Sequence, residues 1–196
     1  MSRVAEVDRK TNETSIRLRL DLDGSGTTEI STGVGFFDHM LDQLGRHWLV
    51  DLEIDASGDL HVDAHHTVED VGICLGTALN EALGEKRGIR RYGWSIVPME
   101  EALVQSALDL SGRPLLVFDA PVPAEAIGNY DPDLTEEFFT ALSRTAGITL
   151  HIRLLAGKNS HHIVEAVFKS VAQALKVATE LDARRGSTVP STKGVL

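Results

Sequence analysis

One five-residue phrase occurs twice in this chain, and its repetition constrains the fold more than any other feature. It reads His65-His66-Thr67-Val68-Glu69 and again His161-His162-Ile163-Val164-Glu165, 96 residues apart (161 − 65). On a helix, residues four apart share a face, so His65 and Glu69 can reach one point, as can His161 and Glu165. The second His of each pair is turned by about 100° from the first and aims elsewhere. An adjacent His pair is therefore a poor clamp for one ion and a good way to serve two. Imidazole suits Zn, Cu, Fe and Ni, while carboxylate oxygen suits harder ions such as Mn. The absence of Cys from the phrase disfavours a structural thiolate Zn site.

A single His-His pair at a helix start is ordinarily an exposed polar turn. Matching context changes that. Val68, Val71, Leu75, Ala78, Leu79 and Ala82 form an apolar helical stripe, and the same offset gives Val164, Val167, Val171, Ala174, Leu175 and Ala178. Either stripe alone means a core-facing helix. With His and Glu at corresponding ends, the two mean an internal repeat that carries a duplicated site.

The rest of the pattern follows the repeat. Residues 15–22 alternate apolar and polar side chains, which predicts a half-buried strand. The Asp23-Gly24-Ser25-Gly26 turn then predicts a hairpin with a short strand over 27–31. A helix is expected over 36–47, a strand around Val50, Leu52 and Ile54, and the first phrase's helix to about Leu83. In the second half, 93–98 and 101–110 read as paired strands, 115–119 as a third and 134–146 as a helix. A strand around Leu150, Ile152 and Leu154 precedes the second phrase's helix, which runs to about Glu180 with Ser160 as its N-cap. The predicted class is α+β: one domain over 1–196, made of two repeats of approximately 1–88 and 89–196, with sheets on one side and helices on the other. Ile54 and Ile152 hold equivalent strand positions, 98 residues apart (152 − 54), and that offset sets Glu137 opposite His39. Each first helix thus offers one further ligand candidate.

Composition narrows the function classes. A net charge of −10 argues against nonspecific nucleic-acid binding, and no run of about 18 uncharged apolar residues exists to form a membrane span. No secretory h-region is visible at the start. The single cysteine, Cys74, cannot make an intrachain disulfide, which fits a reducing cytoplasm.

Seven stretches stand out: Phe37-Asp38-His39-Met40-Leu41, Asp63-Ala64-His65-His66-Thr67-Val68-Glu69-Asp70, Lys86-Arg87-Gly88-Ile89-Arg90-Arg91-Tyr92-Gly93, Asp109-Leu110-Ser111-Gly112-Arg113-Pro114, Gly147-Ile148-Thr149-Leu150-His151, Gly157-Lys158-Asn159-Ser160-His161-His162 and Pro190-Ser191-Thr192-Lys193-Gly194. In this order they cover essentially the whole chain. Together they resemble one family, the imidazoleglycerol-phosphate dehydratases of histidine biosynthesis. The resemblance implies a duplicated fold of the ribosomal-protein S5 domain 2-like type. It also implies dehydration of D-erythro-imidazole-glycerol phosphate to imidazole-acetol phosphate. Two Mn²⁺ ions per active site and a homo-oligomer of about 24 chains, with active sites between subunits, come with it.

Carried over residue by residue, the resemblance makes His39, His65, His66, Glu69, Glu137, His161, His162 and Glu165 metal ligands. Many members have His where this chain has Glu137; a carboxylate also suits Mn²⁺. Catalytic roles fall to Glu13, His66, Glu69, His162 and Glu165, with Glu13 as the acid–base group. Substrate contacts fall to Glu13, His39, Gln43, His47, Arg91, Arg113, Lys169, Ser191 and Lys193, the cations among them serving the phosphate. The substrate C2 hydrogen has no carbonyl neighbour, so metal on the imidazole nitrogens supplies the activation. Two alternatives share the His and Glu clusters: a dinuclear phosphate-ester hydrolase, and a metal-scaffolded structural or storage assembly with no enzymatic role.

Overall fold

The computed structural model describes residues 3–196. The first half runs β1 (Val4–Lys10), β2 (Thr14–Asp21), β3 (Thr28–Ser31), α1 (Gly35–Trp48), β4 (Asp51–Gly58) and α2 (His65–Leu83). The second runs β5 (Tyr92–Met99), β6 (Ala102–Asp109), β7 (Leu115–Asp119), α3 (Leu134–Ala146), β8 (Thr149–Ala156) and α4 (Ser160–Thr179). Each half builds one four-stranded sheet, in the orders β1-β2-β4-β3 and β5-β6-β8-β7. The α+β class and the duplicated layout therefore hold.

Three expectations need correction. The segment 27–31 does not form a hairpin with β2. The hairpin partner of β2 is β1, and β3 runs parallel to β4 on that strand's other side. The Asp51 carboxylate causes this: it accepts the N–H groups of Ser25 (2.8 Å) and Thr27 (2.9 Å), which ties the turn to the start of β4. The chain must then cross over through α1, as parallel neighbours require; β7, α3 and β8 repeat the arrangement. Secondly, the cap of α4 is Asn159, whose side chain accepts from His162 N–H, and Ser160 is already helical. Thirdly, the sheets do not share one side. α2 packs on β1 and β2, α4 packs on β5 and β6, and the helices of the halves meet each other, α1 on α4 and α2 on α3. The order is sheet, helices, sheet.

Alternation explains the sheets. Ile16, Leu18 and Leu20 of β2 and Leu52, Ile54 and Ala56 of β4 face the helices, while the residues between them face out. The helix layer is shared by both halves through aromatic side chains. Phe138 stacks at 5.3 Å on Phe168 and meets Phe37 edge-on at 5.4 Å, all three fully buried. Close helix contact needs small residues: a Cβ on Gly76 of α2 would stand 2.5 Å from the Leu142 carbonyl oxygen of α3. Among the described residues no helix is long and apolar enough to cross a membrane.

Candidate active site

Packing α1 against α4 brings four of the singled-out side chains together. Glu165 Oε2 lies 3.2 Å from His161 Nε2 and 3.7 Å from His39 Nε2. Its other oxygen receives Lys169 Nζ at 2.5 Å. Burial alone would raise the Glu165 carboxyl. The Lys169 ammonium outweighs it, helped by the two imidazoles, and holds the group below the usual carboxylate range. One turn further along α1, His47 Nε2 meets Gln43 Oε1 at 3.1 Å. Burial, then the nearby Lys169 charge, lowers the His47 pKa.

Packing α2 against α3 makes the counterpart. His65 Nε2 is 3.8 Å from Glu69 Oε2, and His65 and Glu137 line one cavity with Asp63, Asp131 and Asp133. His39, His161 and Glu165 in one cluster thus correspond to Glu137, His65 and Glu69 in the other. The second is the more open, with the Glu69 side chain 39% exposed against 6% for Glu165.

The second histidines turn away. The rings of His65 and His66 stand at 90°, and those of His161 and His162 at 81°. His66 Nδ1 lies 3.0 Å from Asp59 Oδ2, and that hydrogen bond, before any other cause, raises the His66 pKa. His162 Nδ1 lies 2.6 Å from Glu101 Oε2. The bond from His162, followed by the Asn159 N–H, holds the Glu101 carboxyl down to about 2. Glu13, in the turn between β1 and β2, sits close enough to His66 to add to the stabilisation of its charge.

A third cluster forms around the C-terminal tail. Arg91, Arg113, Arg185, Ser191 and Lys193 line one cavity. The Arg91 guanidinium is fully engaged: Nε and one terminal nitrogen donate to Asp109 at 2.7 and 3.0 Å, and the other terminal nitrogen donates to the Pro190 carbonyl at 2.8 Å. Arg113 is freer, 67% exposed and 3.9 Å from Asp109.

These clusters are separate within one chain. The Arg91 N–H bonds the Ala178 carbonyl near the C-terminal end of α4, whereas His161 begins that helix, about 25 Å away at 1.5 Å per residue. Among the described residues, no three His, Cys, Asp or Glu side chains close around a point as a finished metal cage.

Comparison with known proteins decides the family. Residues 32–175 match the model of the imidazoleglycerol-phosphate dehydratase family. The chain is 59% identical to the imidazoleglycerol-phosphate dehydratase of Cereibacter sphaeroides (strain KD131), covering 99% of this chain and all of that one. It is 58% identical to the one of Acidiphilium cryptum over the full length of both.

The chain belongs to the imidazoleglycerol-phosphate dehydratase family.

The fold agrees. The crystal structure of the Staphylococcus aureus N315 enzyme superposes with a TM-score of 0.83 at 37% identity, covering 91% of this chain and 99% of that one. The Pyrococcus furiosus enzyme gives 0.83 at 38% identity, covering 97% and 100%. Membership makes the chain an enzyme that dehydrates imidazoleglycerol phosphate in histidine biosynthesis. Sequence reasoning missed Arg185, Asp59 and Glu101. Arg185 had a visible signal, the Arg184-Arg185 pair ahead of the tail; the two acids had none, because only the folded loops bring them to the histidines.

Proposed function

We infer that the chain converts D-erythro-imidazole-glycerol phosphate to imidazole-acetol phosphate at a site with two Mn²⁺ ions, assembled between copies of the chain. One observation carries this: two ligand sets at equivalent places of a duplicated fold, each with a second histidine turned toward a different point. The donors are imidazole nitrogen and carboxylate oxygen without thiolate, a set that fits Mn²⁺. His39, His161 and Glu165 would hold one ion and His65, Glu69 and Glu137 the other, with His66 and His162 completing sets on neighbouring copies. When bound, the metal supplies Lewis-acid polarisation of the imidazole ring and a template for it.

The side chains supply the remainder. Glu13 is exposed in the turn between β1 and β2, so its carboxylate can take the proton from substrate C2 and protonate the departing hydroxyl oxygen. Gln43, His47 and Lys169 line the helix faces beside the first ligand set and orient the polar chain of the substrate. Arg113, Arg185, Ser191 and Lys193 form the phosphate pocket. Arg91 lines the same pocket and also binds the tail that carries Ser191 and Lys193.

The separation of about 25 Å along α4 exceeds the length of so small a substrate. Phosphate pocket and ligand sets must therefore meet across a subunit boundary, in an assembly of about 24 copies with closed symmetry. The cytoplasm is where such a pathway works. Chelation followed by Mn²⁺ addition tests the proposal: turnover of the substrate should vanish and return, without release of inorganic phosphate. Full activity after exhaustive chelation would refute it, and phosphate release would favour the hydrolase.

A further inference from the structure

The duplication has left one pair of positions doing different work. Leu18 pairs with Ile54 in the first sheet and Ser106 with Ile152 in the second, so β2 and β6 are in equivalent register. Glu13 and Glu101, each one residue before its strand, are therefore counterparts. Glu101 is bonded to His162 at 2.6 Å. Glu13 is not bonded to His66, which instead meets Asp59, one residue beyond β4. β8 carries one extra residue where it bulges against Leu103, so Gly157 matches Gly58 and the counterpart of Asp59 is Lys158, a cation that cannot accept from an imidazole. Each second histidine thus has one carboxylate, supplied from a different loop in each half.

We propose that Glu101 and Asp59 are positioning residues that fix the tautomers of His162 and His66, and that the substitution of Asp59 for this task is what leaves Glu13 free for proton transfer. A carboxylate only accepts, so Nδ1 of each ring must carry the proton, and the neutral ring keeps its lone pair on Nε2 for a metal ion. Such outer carboxylates commonly set the orientation and basicity of a ligating imidazole. The assignment presupposes that His162 and His66 are metal ligands.

Glu101→Gln gives the sharpest test. Glu101 Oε1 accepts the backbone N–H groups of Lys158 (3.2 Å) and Asn159 (2.8 Å). A glutamine must keep its oxygen there, so its NH₂ faces His162. That group donates to Nδ1 and drives the proton to Nε2. Solid-state ¹⁵N spectra of histidine-labelled, metal-free protein should then show the His162 tautomer exchanged, the signal being assigned by its loss in His162→Ala. Titration calorimetry with Mn²⁺ should show affinity at that site reduced about 10- to 100-fold, with an unchanged melting temperature. Asp59→Asn is the independent variant in the other half, should the Glu101 loop not tolerate change. Unaltered tautomer and affinity in both variants would overturn the proposal. If His162→Ala also left Mn²⁺ binding intact, the ligand reading itself would fall.

Discussion

The two sheets share strand order and register, yet their outer faces are opposites. At matching positions the first sheet carries Glu6, Asp8 and Glu29, and the second carries Trp94, Ile96 and Val117. The first face is laced with ion pairs, Arg17 to Asp8 at 3.8 Å and Arg19 to Glu53 at 3.2 Å. The second leaves Trp94 67% and Ile96 55% exposed, with Tyr92 and Leu115 beside them. Removing one large apolar side chain from water is worth about 1.5–3 kcal/mol. A face with several of them is built to be covered, and a charged face is built to stay wet. Duplication copied the topology, and divergence then gave one half a charged outer face and the other an apolar one.

Trp94→Asp should break that comparison with the largest effect. A charge on the covered face should reduce the particle size measured by light scattering. If the sites are completed across copies, it should also lower turnover by about 100-fold or more, since positioning is lost. Glu6→Lys at the matching position should change neither. Equal particle sizes for both variants would mean the apolar face is not a contact between copies.

The two candidate ligand sets also differ in burial. Glu165 is buried and neutralises Lys169, whereas Glu69 is half-exposed with one histidine beside it. Glu165→Gln should therefore cost stability, about 1–3 kcal/mol for a charge left unpaired, read as a lower denaturant midpoint. Glu69→Gln should leave that midpoint in place. Both should lower bound Mn²⁺ per chain by elemental analysis. A loss of metal in only one variant would show that the halves do not carry equivalent ion sites.

Most of this fold was legible because alternation and helical periodicity report which face a residue turns inward. They do not report which strand lies alongside, so they cannot set β3 on β4 in place of β2. β1 lacks a clean alternation because one of its inward positions is Arg9, a charge paired with Asp70 from α2, 2.9 Å away. The pairing of Glu137 with His39 was readable because the repeat supplies an internal ruler. Asp59 and Glu101 were not, because their histidines are reached through loops and, for Glu101, across 61 residues of chain. Residue type alone makes Arg91 a solvated charge, and only the family resemblance makes it a phosphate contact; its bidentate bond to Asp109 is a property of the folded register.

Arg3 and Arg91 are also counterparts, each one residue before its first strand. Arg3 donates to the Thr179 carbonyl at 2.6 Å and pairs with Asp23, which ties the first sheet to the end of α4. Arg91 donates to Pro190 and ties down the tail. Arg91→Ala should raise KM about 10-fold, roughly 1.4 kcal/mol of lost substrate binding, with a smaller change in kcat. Arg3→Ala should affect the melting temperature and leave KM alone. Equal KM values for the two would dissociate the tail from the phosphate.

The smallest effect concerns the one candidate ligand position where the halves differ in chemistry. His39 offers imidazole nitrogen beside Glu165, while Glu137 offers oxygen in a cavity already lined by Asp63, Asp131 and Asp133. The second set is therefore the harder and more negative of the two, and it should favour Mn²⁺ over softer ions more strongly than the first. Glu137→His would make the sets alike. Turnover with saturating Mn²⁺ should change by no more than a few-fold, because ligand number is preserved, but competition titrations should show Zn²⁺ and Ni²⁺ displacing Mn²⁺ more readily. An unchanged competition profile would mean that Glu137 lies outside the ion's reach, and that the second set is closed by a residue of another copy.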